Sequence, residues 1–152
     1  MWGDELMRAL KRNMRPFWYC TYKGEAELID ENGLRTGEKV ILYENPVEMK
    51  ANISPATGQS STEQFGNLEN YDKVIVTCDM DCPITESTVL FVDREPEYTS
   101  VTSHDVVEAQ ALFGEDEIND KTYTLPKHDY IVRRVAKSLN GISIAIQKVT
   151  VS

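Results

Sequence analysis

The clearest hydrophobic periodicity lies near the C-terminal end of the chain. In "ISIAIQK", Ile142, Ile144 and Ile146 alternate with Ser143, Ala145 and Gln147, a period of two that predicts a strand with one buried face. "DYIVRRVAKSL" reads as the preceding strand, and Asn140-Gly141 between them is the preferred dipeptide of a tight type I′ hairpin turn. The apolar phase then slips to Val149 and Val151, which predicts a bulge near Gln147-Lys148.

Similar β-prone runs recur upstream. "FWYCTY", "AELID", "EKVILYE", "VEMKANI", "YDKVIVT" and "STVLFVD" are rich in aromatic and β-branched residues. "DENG" (Asp30 to Gly33) is a turn signal, Asn45-Pro46 predicts a bend or an edge position, and Pro83 marks another turn region.

Helical spacing replaces this pattern twice. "GDELMRALKRNMRP" predicts a short helix with Asp4 as N-cap, Glu5 in the first turn, Arg12 and Arg15 near its end, and Pro16 as the stop. Leu6, Leu10 and Met14, with Met7 beside them, form its apolar stripe. A helix this short is marginal in water and needs a surface to dock on, its own or a neighbour's. "HDVVEAQALFG" predicts a second short helix, with Asp105 as N-cap, Glu108 completing a capping-box spacing and Gly114 as the stop.

The elements add up to a mainly β protein. Seven or eight short antiparallel strands predict a small β-barrel, or a sandwich, in one domain over 1–152. Its parts are an N-terminal helix over 1–15, the β-barrel over 17–94 and 128–152, and an insertion over 95–127 where the strand pattern stops. One connection stands out. Between "VEMKANI" and "YDKVIVT" lie seventeen mostly small and polar residues, Pro55 to Tyr71, and loops this long tend to carry function or to be disordered.

Composition is that of an ordinary soluble domain, with 41% hydrophobic and 27% charged residues. No apolar run approaches the roughly 20 residues of a membrane span. The basic N-terminal residues interrupt the apolar ones rather than preceding them, unlike a signal peptide, so a cytoplasmic site of synthesis is expected. The net charge of −9 is unevenly spread: residues 1–23 carry +3, 24–126 carry −16 and 127–152 carry +4. So acidic a body argues against a protein that grips nucleic-acid phosphates.

Chemistry is sparse. Cys78 and Cys82 in "CDMDC" have a tolerable spacing for metal, but His104 and His128 are the only histidines and two further ligands would be needed. A buried structural cysteine beside an Asp-rich turn is the simpler reading. A Cys–His nucleophile finds no support, because the neighbours in each "HD" pair point to opposite faces of a strand. No P-loop, dinucleotide fingerprint or H-E-x-x-H occurs. With Cys20, the three cysteines are expected to be free thiols. The expectation is a non-enzyme with no catalytic residue, cofactor or metal.

The order of features from Asp30 onward resembles the head–tail joining, or head-closure (stopper), proteins of long-tailed bacteriophages. The matching pieces are "DENG" followed by a strand, "MKANISPATGQSSTEQFG", "YDKVIVT", "ITESTVLFVD" and "HDYIVRRVAKSLNGISIAIQKV", covering about residues 17–150. The 95–127 insertion is longer than that family leads one to expect. The resemblance implies a small β-barrel that forms a ring in the virion neck, assembled in the host bacterial cytoplasm, without a membrane partner. The ring would join the portal–adaptor complex to the tail terminator protein, close the DNA-filled head and let DNA through without binding it specifically. It also implies that the long loop, here Ser54 to Asn70, lines or gates the channel. The residues are compatible: this span has no Lys or Arg, Glu63 and Glu69 are negative, Gly58 and Gly66 permit unusual backbone angles, and Phe65 and Leu68 are its only large apolar side chains. Leu6, Leu10, Arg12 and Met14 of the first helix, and Val107 and Phe113 of the second, are candidate subunit or partner contacts. The alternatives are a monomeric β-barrel module binding a protein or ligand, and a tail-completion protein of the same neck region.

Overall fold

The computed structural model describes residues 14–55, 71–114 and 121–150. Two long antiparallel ribbons organise the chain. In the first, β1 (Met14–Cys20) pairs with β4 (Val47–Pro55), and β2 (Tyr22–Ile29) pairs with β3 (Arg35–Tyr43). The Glu44 amide donates to the Thr21 carbonyl across the join, at 2.9 Å. Its tip is the predicted turn: Asp30 Oδ1 accepts the Asn32 and Leu34 amides, both at 2.9 Å, and Gly33 adopts φ +77°. In the second ribbon, β6 (Val89–Phe91) pairs with β9 (Tyr130–Lys137), and β7 (Tyr98–Val101) with β8 (Tyr123–Pro126).

Each ribbon divides itself between two sheets. With β5 (Lys73–Thr77) and β10 (Ile142–Lys148), their lower halves form a closed antiparallel barrel in the order β1-β4-β5-β10-β9-β6. The upper halves form a second sheet in the order β2-β3-β8-β7, joined at Tyr43 opposite Thr124. Asn45-Pro46 is therefore a bend, at the point where the first ribbon passes from one sheet to the other.

The barrel interior is filled. Phe17, Ala51, Ile75, Leu90, Ile142 and Ile144 pack there with Tyr130 and Ile146, and Cys82 and Ile84 from the β5–β6 connection join the same cluster. Barrel diameter grows with strand number, and eight strands already leave only enough room for side chains. Six leave no lumen.

The second sheet is curled. Val101 ends β7 at one edge, yet Val106 bridges Leu28 beyond the opposite edge, and the Val107 amide donates to the Glu27 carbonyl at 3.0 Å. Five residues reach at most about 18 Å fully extended, and a 3₁₀ turn at Ser103–Asp105 shortens that span. Four flat strand spacings would need about 19 Å. The curl encloses a second core of Leu42, Val101, Val106 and Tyr123, against which Leu112 and Phe113 of the short helix α1 (Ala109–Phe113) pack.

Several sequence expectations are corrected. The 95–127 stretch contains two strands, β7 and β8, whose four-residue lengths are too short for a periodicity to register. Met14 and Arg15 belong to β1, where Met14 opposes Asn52, rather than to a helix. Asp105 completes a capping box with Thr102 around the 3₁₀ turn, and α1 begins later, after Glu108 at φ +53°. Gly114 ends it at φ +83°.

The final hairpin also differs. Neither Asn140 nor Gly141 has positive φ, so the turn is not type I′. Lys137 opposes Ile142, and the Ser138 amide donates to the Gly141 carbonyl at 2.9 Å across a wider connection. Space favours glycine at 141: a Cβ there would lie 3.0 Å from the Thr77 carbonyl oxygen, a tight contact with backbone. The bulge is on β9, not β10, because Ala145 opposes Arg134 while Ile146 opposes Val132. The extra residue, Arg133, lets Val132 and Val135 both pack on the barrel core although they are three apart.

Candidate functional site

The long connection between β4 and β5 has its two ends side by side. Asn52, Ile53, Ser54 and Pro55 pair in register with Val76, Ile75, Val74 and Lys73, so the ladder runs unbroken to the rim of the barrel. Ser54 is a half-buried strand residue within it. Gly58, Glu63, Phe65, Gly66, Leu68 and Glu69 lie outside the described residues, as do Leu6, Leu10 and Arg12.

A polar network closes this rim. Lys73 Nζ lies 3.0 Å from Asp93 Oδ1, and the Tyr130 hydroxyl donates to Asp93 Oδ2 at 2.8 Å. Burial opposes ionisation of Asp93, but the bonds from Lys73 and Tyr130 and the nearby Lys148 charge outweigh it and hold the carboxyl below its ordinary range. Burial, then the bond to Asp93, push the Tyr130 hydroxyl well above the usual tyrosine value.

Behind it, the buried Asp129 carboxylate accepts the Val92 and Asp93 amides, each at 2.9 Å. Asp129 thus fixes the bend of the second ribbon, and Asp93 ties that bend to the first residue of β5. On the same rim Asp72 accepts the Lys148 amide at 2.7 Å. None of these residues stands out in the sequence, where Lys73, Asp93 and Asp129 look like ordinary strand-end charges. Only the density of Asp at strand boundaries hints at them.

The two helix-derived candidates are engaged within the fold. Phe113 packs against Tyr123 with ring centroids 4.6 Å apart and the rings tilted by 50°, and Val107 is half-buried beside β2. A surface cavity of about 290 Å³ between β2, β3 and α1 is lined in part by Glu25, Glu27, Arg35, Lys39 and Glu108. Its interleaved charges favour no ligand class.

Two of the three thiols are structural in setting. Cys82 is buried in the barrel core with its sulfur 4.0 Å from that of Met49, and burial raises its pKa. Cys20 is buried where the two sheets meet, and burial pushes it up to about 12 despite a bond with Thr124. Among the described residues, no three His, Cys, Asp or Glu side chains converge as a metal site would require. No helix among them is long and apolar enough to cross a membrane.

Comparison with protein-family models, with characterised proteins and with solved structures returns no match.

Proposed function

We propose that this protein is a non-enzymatic connector of a phage neck: a subunit of a ring that joins the portal–adaptor complex to the tail and surrounds the path of DNA. The observation that carries the reading is the β4–β5 hairpin. Its ladder extends to Pro55 and Lys73 at the barrel rim, so everything between is an excursion from one fixed point, and residues 56–70 contain no Lys or Arg. Repeated around a ring, such segments present a wall without phosphate-binding cations, along which a duplex slides rather than sticks.

The filled barrel supports a ring in particular. With no lumen in a single subunit, any passage for DNA must lie between copies. The Lys73–Asp93–Tyr130 network gives the loop a rigid base, which a gating element needs if it is to move without unravelling the barrel.

The test is a deletion of Gln59 to Asn67 in the assembling phage. The deleted protein should keep its β circular dichroism and cooperative melting, while filled heads leak DNA. Full retention of DNA by such particles would reduce the loop to a spacer. Normal tailed particles after removal of the whole gene would overturn the connector reading itself.

A further inference from the structure

The second sheet has an edge that the chain begins to cover and then leaves. β2 lies at the end of the order β2-β3-β8-β7. Beyond it, Val106 bridges Leu28 in the antiparallel sense, and the Val107 amide donates to the Glu27 carbonyl. These residues are the start of a further strand. Glu108 ends it, because its φ of +53° turns the chain out of the ladder and into α1.

The ladder shows which backbone groups are left open. Glu27 bonds outward to Val107, so its amide and carbonyl face the edge and not β3. Glu25, Ala26 and Glu27 oppose Ile41, Val40 and Lys39 without a register shift, so Glu25 turns its own backbone groups to the same side. Among the described residues neither of those groups has a partner. Open space lies beside them. The cavity of about 290 Å³ borders Glu25, Ala26 and Glu27 on one side and Val107, Ala111 and Leu112 on the other. Leu112 packs over Gly24, where a Cβ would lie 2.8 Å from Leu112 Cδ2. The mixed side-chain charges select no ligand, but the backbone does: a strand edge facing a helix across a gap fits an extended polypeptide.

We infer that this groove binds an extended segment of a partner protein, which adds to β2 where Val106 and Val107 leave off. The segment exchanges both of its backbone hydrogen bonds at one residue with Glu25. Successive side chains of a strand point to opposite faces. The residue opposite Glu25 therefore points to the outer face, where a lysine meets that carboxylate across the ladder. Its two neighbours point inward beside Ala26 and Leu112, both packed in the second core, and are short and apolar. So small a cavity, near the lower limit of ligand pockets, admits a few extended residues and excludes a helix, which is about 10 Å across. This inference does not depend on the connector reading.

Isotope-labelled full-length protein tests it by nuclear magnetic resonance. The probe is a pool of acetylated, amidated pentapeptides, Thr-X-Lys-X-Thr, in which X is Val, Ile, Leu or Thr. Saturable shifts of the Glu25 amide and the Leu112 methyls are expected, with slower hydrogen exchange at Glu25. The same pool N-methylated at lysine cannot donate to the Glu25 carbonyl and should bind about tenfold more weakly. No saturable shift, or equal binding by the methylated pool, overturns the inference. So do shifts centred on Tyr98 and Ser100 at the sheet's opposite edge, or a Glu25 amide already protected from exchange in the free protein. Glu25→Pro removes only an outward amide, which an edge strand tolerates, and Ala111→Trp fills the groove from α1. Each should abolish the shifts of the Leu112 methyls, and binding retained by either folded variant would equally overturn it. If neither folds, the two pools on the parent protein decide the matter.

Discussion

The ammonium of Lys73 sits 3.0 Å from the Asp93 carboxylate, joining the residue that opens β5 to the bend of the second ribbon. Because Asp129 holds that same bend through two backbone amides, one charged contact ties the base of the long loop to the junction of the two sheets.

The Asp93 carboxyl is held below its ordinary value, so its contribution to stability is full above the unfolded carboxylate pKa, about 4, and is lost as pH falls through the depressed folded value. Asp93→Asn should therefore lower the melting temperature above pH 5 and converge with the parent in more acidic buffer. As the side chain is partly exposed, the cost at neutral pH should be about 1 kcal/mol or less. A difference between the two proteins that does not vary with pH would show that the charge is immaterial.

His128 acts in the same direction, in a higher pH window. Burial lowers its pKa despite the Pro126 carbonyl and Asp129 nearby, and its ring lies 6.5 Å from that of Tyr43 where the sheets join. The unfolded chain then takes up this proton first, so stability falls as pH drops below about 6.5 and levels off below the folded value. In urea melts between pH 8 and 5.5, His128→Gln should remove that part of the decline.

Thiol labelling should separate the cysteines. Cys20 and Cys82 are buried with raised pKa values, whereas Cys78 is half-buried. A disulfide reagent at pH 8 should titrate one thiol quickly in the native protein, and the other two only with unfolding. Cys78→Ser should abolish the fast phase; a fast phase that survives would place Cys20 or Cys82 at the surface.

Two glycines should fail for different reasons. Gly33→Ala meets no neighbour but must keep φ +77°, costing about 1 kcal/mol, and Gly33→Asn should recover part of it, since asparagine tolerates that region. Gly141→Ala has an ordinary φ but collides with the Thr77 carbonyl, costing about 1–3 kcal/mol, with no relief from asparagine. Equal rescue by asparagine at both sites would contradict this distinction.

Local chemistry made part of the protein legible in advance. Alternation along "ISIAIQK", the Asp30–Gly33 turn and the bend at Asn45-Pro46 depend on neighbouring residues alone, so a mainly β fold with a long β4–β5 excursion could be read directly. Pairing could not. The division of each ribbon between a barrel and a curled sheet depends on which distant strands meet, as Trp18 meets Phe91 and Tyr43 meets Thr124. The same long-range register overrode a strong turn signal at Asn140-Gly141, because the Thr77 backbone sets the space there, and it put the bulge at Arg133, where the core requires both Val132 and Val135. The Lys73–Asp93–Asp129 chain is the extreme case: three charges that look solvent-bound along the sequence meet only because closure of the barrel brings residues tens of positions apart to one rim.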